Sequence, residues 1–200
     1  MKSYLAIIFL LLSISISTDL SAQIDFKTLR SGDLLFVSDT SGMGLAIQQT
    51  TGKYTHVAIV ERDGDSLFII DATRKRGVAR RPIEKSFAYK MPTVAYRLNV
   101  PFDTAAIIAR AKSFIGQLYD DSFLPDNGMM YCSELVYEAY LDNDGKHLFN
   151  SQPMNFRDKR GRLPRYWRRH FHKLGIPVPE GVPGTNPTDM SKSEILIKAF

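Results

Sequence analysis

The chain has 200 residues, a formal net charge of +5 and a single cysteine. The lone cysteine excludes an internal disulfide framework. The length is sufficient for one domain with its own hydrophobic core.

The first 22 residues are predicted to be a secretory signal peptide. Lys2 provides a positive start, residues 5–16 are apolar, and residues 17–22 are small and polar, with cleavage expected after Ala22. The apolar run is short for a membrane span, which makes a retained anchor the less favoured alternative. We therefore expect an exported protein, periplasmic or extracellular, without a stable membrane span. Residues 23–200 are predicted to form a single domain with a Pro- and Gly-rich C-terminal tail.

Hydrophobic patterning predicts an alternation of short strands and helices along the mature chain. Strands are predicted at residues 34–37, 55–61, 66–72, 77–81 and 93–98. Helical segments are predicted at residues 43–50, 82–88 and 103–115, the last with Asp103 as its N-cap. The chain after residue 140 is rich in proline and glycine, notably at residues 176–187, and is predicted to wrap the surface.

Residues 157–173 carry much of the positive charge, with eight basic side chains against Asp158 alone. In an exported protein this pattern favours a face for anionic envelope material over a nucleic-acid interface. An ordinary solvated surface is the alternative interpretation.

The cysteine lies in residues 129–140, a segment with helical periodicity. Cys132, Leu135, Val136 and Ala139 recur at the spacing of one helix face, and a turn is predicted directly upstream at residues 127–128. Cys132 is therefore placed in the first helical turn. The N-terminus of a helix favours a thiolate over a thiol and offers donors to a developing oxyanion. An inert buried cysteine is the alternative, and the position alone does not decide between them.

Among the four histidines, only His56 begins a predicted strand, and the following strand contains Asp71. A two-residue hairpin loop at residues 63–64 places Asp71 opposite His56, and a loop at residues 64–65 places it opposite Ala58. Asp71 lies on the histidine's face in both registers, so its carboxylate can orient the imidazole. A three-residue loop would break this relation, and a purely structural acid–histidine pair is the alternative.

Four segments together resemble the YiiX/YaeF-like permuted papain-like amidases, which are relatives of the NlpC/P60 peptidases. They are residues 32–36 (GDLLF), 55–60 (THVAIV), 70–72 with 77–78 (IDA and GV), and 131–136 (YCSELV). The resemblance implies an α+β, circularly permuted papain-like fold. An antiparallel sheet is expected to pack against the helix that carries the nucleophilic cysteine. His56 and Asp71 precede Cys132, which is the permuted order.

The resemblance also implies roles for individual residues. Cys132 is expected to be the nucleophile, His56 the base and acid, and Asp71 the third polar group. Gly116-Gln117-Leu118-Tyr119 looks like the Gly-x-Pro-Tyr of NlpC/P60 enzymes, which implies a place for Tyr119 in the active site. Tyr131 and Ser133 flank the nucleophile and are expected to contact substrate or the oxyanion. Tyr131 stands where the relatives often have Asp, so standard recognition of a peptide's amino end is not implied.

The sequence thus predicts an exported cysteine hydrolase that cleaves an amide bond through a thioacyl enzyme. The expected partner is a peptide or N-acyl small molecule, such as cell-wall material, and the oligomeric state is left open. No cofactor is implied, and no metal, because Cys132 lacks the clustered Cys/His spacing of a zinc site. Two alternatives remain: a lipid-directed acyl hydrolase or acyltransferase on the same fold, and a non-catalytic envelope-binding module.

Overall fold

A computed structural model of the protein describes residues 26–40, 42–86 and 90–199. The predicted signal peptide lies outside these ranges. The helices are α1 (Gly42–Thr50), α2 (Thr104–Ser113), α3 (Cys132–Ala139), α4 (Arg165–Leu174) and α5 (Pro187–Met190). The strands are β1 (Leu34–Val37), β2 (His56–Asp63), β3 (Ser66–Thr73), β4 (Gly77–Pro82), β5 (Thr93–Leu98), β6 (Gln152–Pro153), β7 (Pro183–Gly184) and β8 (Leu196–Lys198). No helix in the described ranges is long and apolar enough to cross a membrane.

The main sheet has six strands in the order β4-β3-β2-β1-β5-β8, and every neighbouring pair is antiparallel. All five predicted strands are present, with ends within two residues of the prediction. Two predicted helices are also present, α1 and α2, and Asp103 caps α2 by accepting the Ala106 N–H at 2.9 Å. The third predicted segment, residues 82–88, contains a 3-10 turn at Ile83–Lys85, and its residues 87 and 88 lie outside the described ranges.

Helix α3 packs on one face of the sheet, as predicted. Its residues Leu135 and Val136 are fully buried in one apolar cluster with Val57, Ile59 and residues of α2. Each such side chain contributes about 1.5–3 kcal/mol by leaving water. This burial fixes the position of the first turn of α3, where Cys132 lies.

The chain after α3 was predicted to wrap the surface, and two of its elements, both outside residues 176–187, correct this prediction. Strand β8 pairs with β5 as the sixth strand of the sheet. Helix α4 buries Trp167 and Phe171 against Phe156. These two residues are four apart and form a narrow apolar stripe on α4. The composition of residues 157–173 does not indicate this stripe, because basic residues predominate there.

Gly77 at the start of β4 allows the segment before α3 to dock on the sheet. Its φ is +64°, and a Cβ there would lie 2.0 Å from the Gln117 carbonyl oxygen. The close approach permits backbone hydrogen bonds between Val78 and residues 116 and 117. Only glycine fits this position. The docking in turn places Tyr119 beside the N-terminus of α3.

Candidate active site

Cys132 is the first residue of α3 and is buried, with 6% of its surface exposed. The first N–H groups of a helix have no intrahelical partner and carry partial positive charge. The Tyr131 N–H just before the helix is engaged instead by the Glu134 carboxyl at 3.3 Å. Burial raises the pKa of Glu134 to about 8, so this group is mostly uncharged near neutral pH. It therefore adds little negative charge beside the Cys132 sulfur.

His56 is the first residue of β2, and its ring connects Asp71 to Cys132. The ring Nε2 lies 2.9 Å from Asp71 Oδ2, and the ring is also hydrogen-bonded to the Cys132 side chain. With Nε2 engaged by the carboxylate, Nδ1 is left for the sulfur. His56 stands at the end of the sheet, which allows its ring to reach the start of α3.

The observed strand register agrees with one of the two predicted hairpin loops. Asp63 pairs with Ser66, so residues 64–65 form the loop, and Ile59 pairs with Ile70. Continuing this register places Asp71 opposite Ala58, diagonal to His56 on the same face. The imidazole spans this diagonal.

The environment of His56 favours its protonated form. Burial alone would lower the pKa of His56, but the Cys132 charge and the hydrogen bonds to Asp71 and Cys132 together raise it to about 9. A raised pKa means that the imidazolium persists through neutral pH and is lost as the pH rises through about 9. The pair is thus suited to a thiolate–imidazolium state at neutral pH.

Arg81 on β4 is a member of the site that the sequence interpretation missed. Its Nη2 donates to both carboxylate oxygens of Asp71 at 2.5 Å. Asp71 is fully buried and Arg81 is 8% exposed. In the register of β3 with β4, Ile69 pairs with Arg81, so Arg81 is diagonal to Asp71 on one face. The guanidinium compensates the buried charge of Asp71 and holds its oxygens in place for His56.

The remaining predicted site residues also surround Cys132. Tyr119, Tyr131 and Ser133 all line a cavity that contains Cys132. Burial and the nearby Cys132 charge raise the pKa of Tyr119 well above its usual value, which keeps its hydroxyl protonated. The Tyr131 hydroxyl accepts the Thr185 N–H at 3.1 Å, so its polar end holds the C-terminal segment. Burial raises the pKa of Tyr131 as well.

Two cavities meet at the Cys132–His56 pair. One, of about 280 Å³, lies on the Cys132 side and has aromatic walls from Phe123, Phe156 and Trp167. The other, of about 290 Å³, contains His56. Ile47, Thr55 and Tyr119 line both. A substrate that crosses the pair would therefore place a different group in each cavity.

Phe123 closes the aromatic cavity with a backbone conformation that is rare for its residue type. Its φ is 57°, in the left-handed region. Strain of this kind costs on the order of 1 kcal/mol and is concentrated at functional sites. Its ring contacts those of Tyr131, Phe156 and Trp167.

One buried polar atom in a residue of the aromatic cavity, Trp167 Nε1, has no hydrogen-bond partner among the described residues. Such an atom costs about 1–3 kcal/mol when it stays unsatisfied. On the C-terminal side of the cavity, Thr188 holds the chain in place, because its hydroxyl accepts the Tyr54 N–H at 3.0 Å and donates to the Tyr54 carbonyl at 3.1 Å.

Comparison with known families gives a clear match for this fold and site. The family model of permuted papain-like amidases of the YaeF/YiiX type, family C92, matches residues 28–199. The chain belongs to this family. The predicted family and fold are thereby confirmed, and the family is one of papain-like amidases. No curated protein sequence matches the chain significantly.

The solved structures with the same fold include the crystal structure of the metalloprotein YiiX from Escherichia coli O157:H7. It is 21% identical in sequence, with a TM-score of 0.71 over 85% of this chain and 96% of that chain. In the part of this chain that the structure describes, no three or more His, Cys, Asp or Glu side chains are grouped to hold a metal ion.

Proposed function

We propose that this family member is an exported cysteine hydrolase that cleaves an amide bond through a thioester on Cys132. The observation that carries the proposal is the hydrogen-bonded chain Cys132–His56–Asp71–Arg81, which joins a helix N-terminus to a buried ion pair. The position of the chain between two cavities also supports it. The family assignment supports an amide as the bond that is cleaved.

Acylation begins when the Cys132 thiolate attacks the amide carbonyl carbon. A carbon–sulfur bond forms, and the carbonyl oxygen becomes an oxyanion near the free N–H groups at the start of α3. The His56 imidazolium then gives its proton to the amide nitrogen as the carbon–nitrogen bond breaks. The amine leaves, and the acyl group stays on sulfur as a thioester.

Deacylation uses the same side chains, but His56 is now neutral and acts as a base. Neutral His56 takes a proton from water, and the resulting hydroxide attacks the thioester carbon. The carbon–sulfur bond breaks and returns the thiolate beside the imidazolium. Asp71 holds the imidazole in one orientation through both steps, and Arg81 holds Asp71.

The aromatic cavity gives a specific reason to keep lipid-directed acyl hydrolysis or acyl transfer as a second candidate. An apolar site beside the nucleophile suits an acyl chain. Its volume of about 280 Å³ lies just below the ~300–1,000 Å³ of typical small-molecule sites. A short apolar or aromatic group fits this volume, whereas a long acyl chain would have to extend beyond it. The volume thus favours a peptide or a short N-acyl compound.

The test is a substrate screen by mass spectrometry with the mature protein. Peptidoglycan fragments, N-acyl lipids and ester-linked lipids of short and long chain length are incubated with the wild-type protein and with Cys132→Ala. The proposal predicts hydrolysis of an amide by the wild type alone. Products of a long-chain ester without any amide cleavage would favour the lipid candidate, and no turnover of either class would support a binding module.

A further inference from the structure

A strongly basic groove lies between α4 and the turn that follows β3. It has a volume of about 520 Å³. Six residues line it: Arg74, Arg165, Tyr166, Arg169, His170 and Lys173. Arg165, Arg169 and Lys173 are spaced four residues apart, so they form one row along α4. Trp167 and Phe171, by contrast, fix the helix to the protein interior.

The positive charge of the groove is mostly uncompensated. Arg165, Arg169 and Lys173 form no ion pair with the described residues of the chain. Of the residues that line the groove, Arg74 is the only one with a carboxylate partner in the described part of the chain, namely Asp121, whose Oδ1 lies 2.7 Å from the Arg74 Nε. Like charges four residues apart on a helix repel each other and destabilise the helix. A bound anion would remove this repulsion.

The groove continues toward the candidate active site through Arg74. Arg74 lines both the basic groove and the cavity that contains His56. Its Nη1 donates to the Tyr166 hydroxyl at 3.4 Å, and the Tyr166 ring stacks on His170. His170 in turn donates from Nε2 to the Asp121 carbonyl at 2.7 Å, which fixes the wall of the groove. A substrate in the His56 cavity can therefore extend into the groove.

We infer that this groove binds a phosphate group, carried by the part of the substrate on the His56 side. Four cations face one carboxylate, so a singly charged carboxylate ligand would leave most of the excess charge unpaired. A phosphate monoester carries about −1.5 to −2 charges and three acceptor oxygens. The arginine guanidinium groups match such oxygens in a bidentate geometry. The assignment of the phosphate to the substrate rests on the proposed function.

The first experiment measures inorganic phosphate binding by calorimetry at low ionic strength, with chloride as the reference salt. Arg169→Gln should weaken phosphate binding about tenfold, because it removes charge-assisted hydrogen bonds from the groove. Arg168→Gln is the matched control, since Arg168 is exposed on the same helix but does not line the groove. Its binding constant should stay within about twofold of the wild type. Equal losses in the two variants, or no phosphate binding by the wild type, would overturn the inference.

The second experiment identifies the source of the phosphate by vesicle sedimentation. Phosphatidic acid vesicles and phosphatidylcholine vesicles are compared for wild type, Arg169→Gln and Arg168→Gln. Selective loss of binding to phosphatidic acid in Arg169→Gln identifies a lipid headgroup. Phosphate binding that depends on Arg169 without vesicle binding identifies a soluble phosphate compound, and it equally supports the groove.

The failure of this inference can be told apart from failure of the proposed function. Cys132→Ala should bind phosphate as the wild type does, because Cys132 does not line the groove. If the hydrolase proposal alone is wrong, turnover is absent and the dependence of phosphate binding on Arg169 persists. If the groove inference alone is wrong, amide turnover persists and this dependence is absent.

Discussion

Replacing Asp71 with Asn tests how the buried carboxylate controls the proton on His56. The wild-type pKa of His56 is raised to about 9, with the Cys132 charge and the Asp71 hydrogen bond as the leading causes that raise it. A hydrogen bond to a charged group contributes about 1.5–3 kcal/mol, and one pH unit corresponds to about 1.36 kcal/mol. Asp71→Asn should therefore lower the pKa of His56 by about 1–2 pH units. The Arg81 charge, left without its carboxylate, acts in the same direction.

The assay is an NMR titration of the His56 ring protons, which needs no substrate. The His56 signals are assigned by their absence from His56→Gln. Asp65→Asn is the matched control, because it removes the same charge from an exposed position in the loop between β2 and β3. It should shift the His56 titration by less than about 0.3 pH units, since exposed charges are strongly screened. If the titration is the same in Asp71→Asn and wild type, Asp71 is only a structural neighbour, and the reasoning fails.

Substitutions at Cys132, Asp71 and Arg81 give further tests of the site. Cys132→Ala should abolish turnover of the amide found in the screen. Asp71→Asn should keep measurable but reduced activity, because a thiolate–imidazolium pair needs less help from the acid than a serine nucleophile does. Equal activity of Asp71→Asn and the wild type would contradict a role for Asp71 in orienting His56. Arg81→Gln should lower the free energy of unfolding by about 3 kcal/mol in a denaturant titration, because it breaks the buried ion pair with Asp71. The control is Arg76→Gln at an exposed position, which should change the free energy of unfolding by less than about 0.5 kcal/mol.

The sequence was sufficient to predict the meeting of His56 and Asp71 because both lie near one hairpin. A two-residue loop constrains the parity of its two strands, and the observed loop at residues 64–65 preserves the predicted relation. The position of Cys132 in the first turn of α3, facing the interior, could be predicted because Cys132 shares one apolar face of the helix with Leu135, Val136 and Ala139. The joining of this helix to the hairpin depends on long-range packing, and it was predicted through the family resemblance.

Arg81 was missed because the second hairpin was not given a register. Thr73 pairs with Gly77, which leaves a three-residue turn at residues 74–76. Extending the strand alternation across this turn from Asp71 would have placed Ala79 opposite Asp71 and Arg81 diagonal to it. The sequence signal for this register was therefore Gly77 itself, because glycine readily adopts the positive φ found at the end of this turn.

The aromatic cavity had no sequence signal of comparable strength. Phe123, Phe156 and Trp167 come from two irregular segments and one helix, and no periodicity connects them. Helix α4 itself was hidden by its charge, since only two of its residues are buried. The part of the C-terminal segment that closes the site is held by one hydrogen bond from the Thr185 N–H and two made by the Thr188 hydroxyl, which composition cannot indicate.

Cys132 is proposed to be a nucleophile that His56 activates, and the rate of its alkylation by iodoacetamide tests this role most directly. An ordinary thiol, with a pKa near ~8.5, should lose reactivity roughly 75-fold between pH 8 and pH 6. For a Cys132 thiolate paired with the His56 imidazolium, the expected loss of rate over this range is less than about threefold, whereas His56→Ala should show a steep, thiol-like loss. A wild-type rate that follows the ordinary thiol and is unchanged in His56→Ala would contradict it.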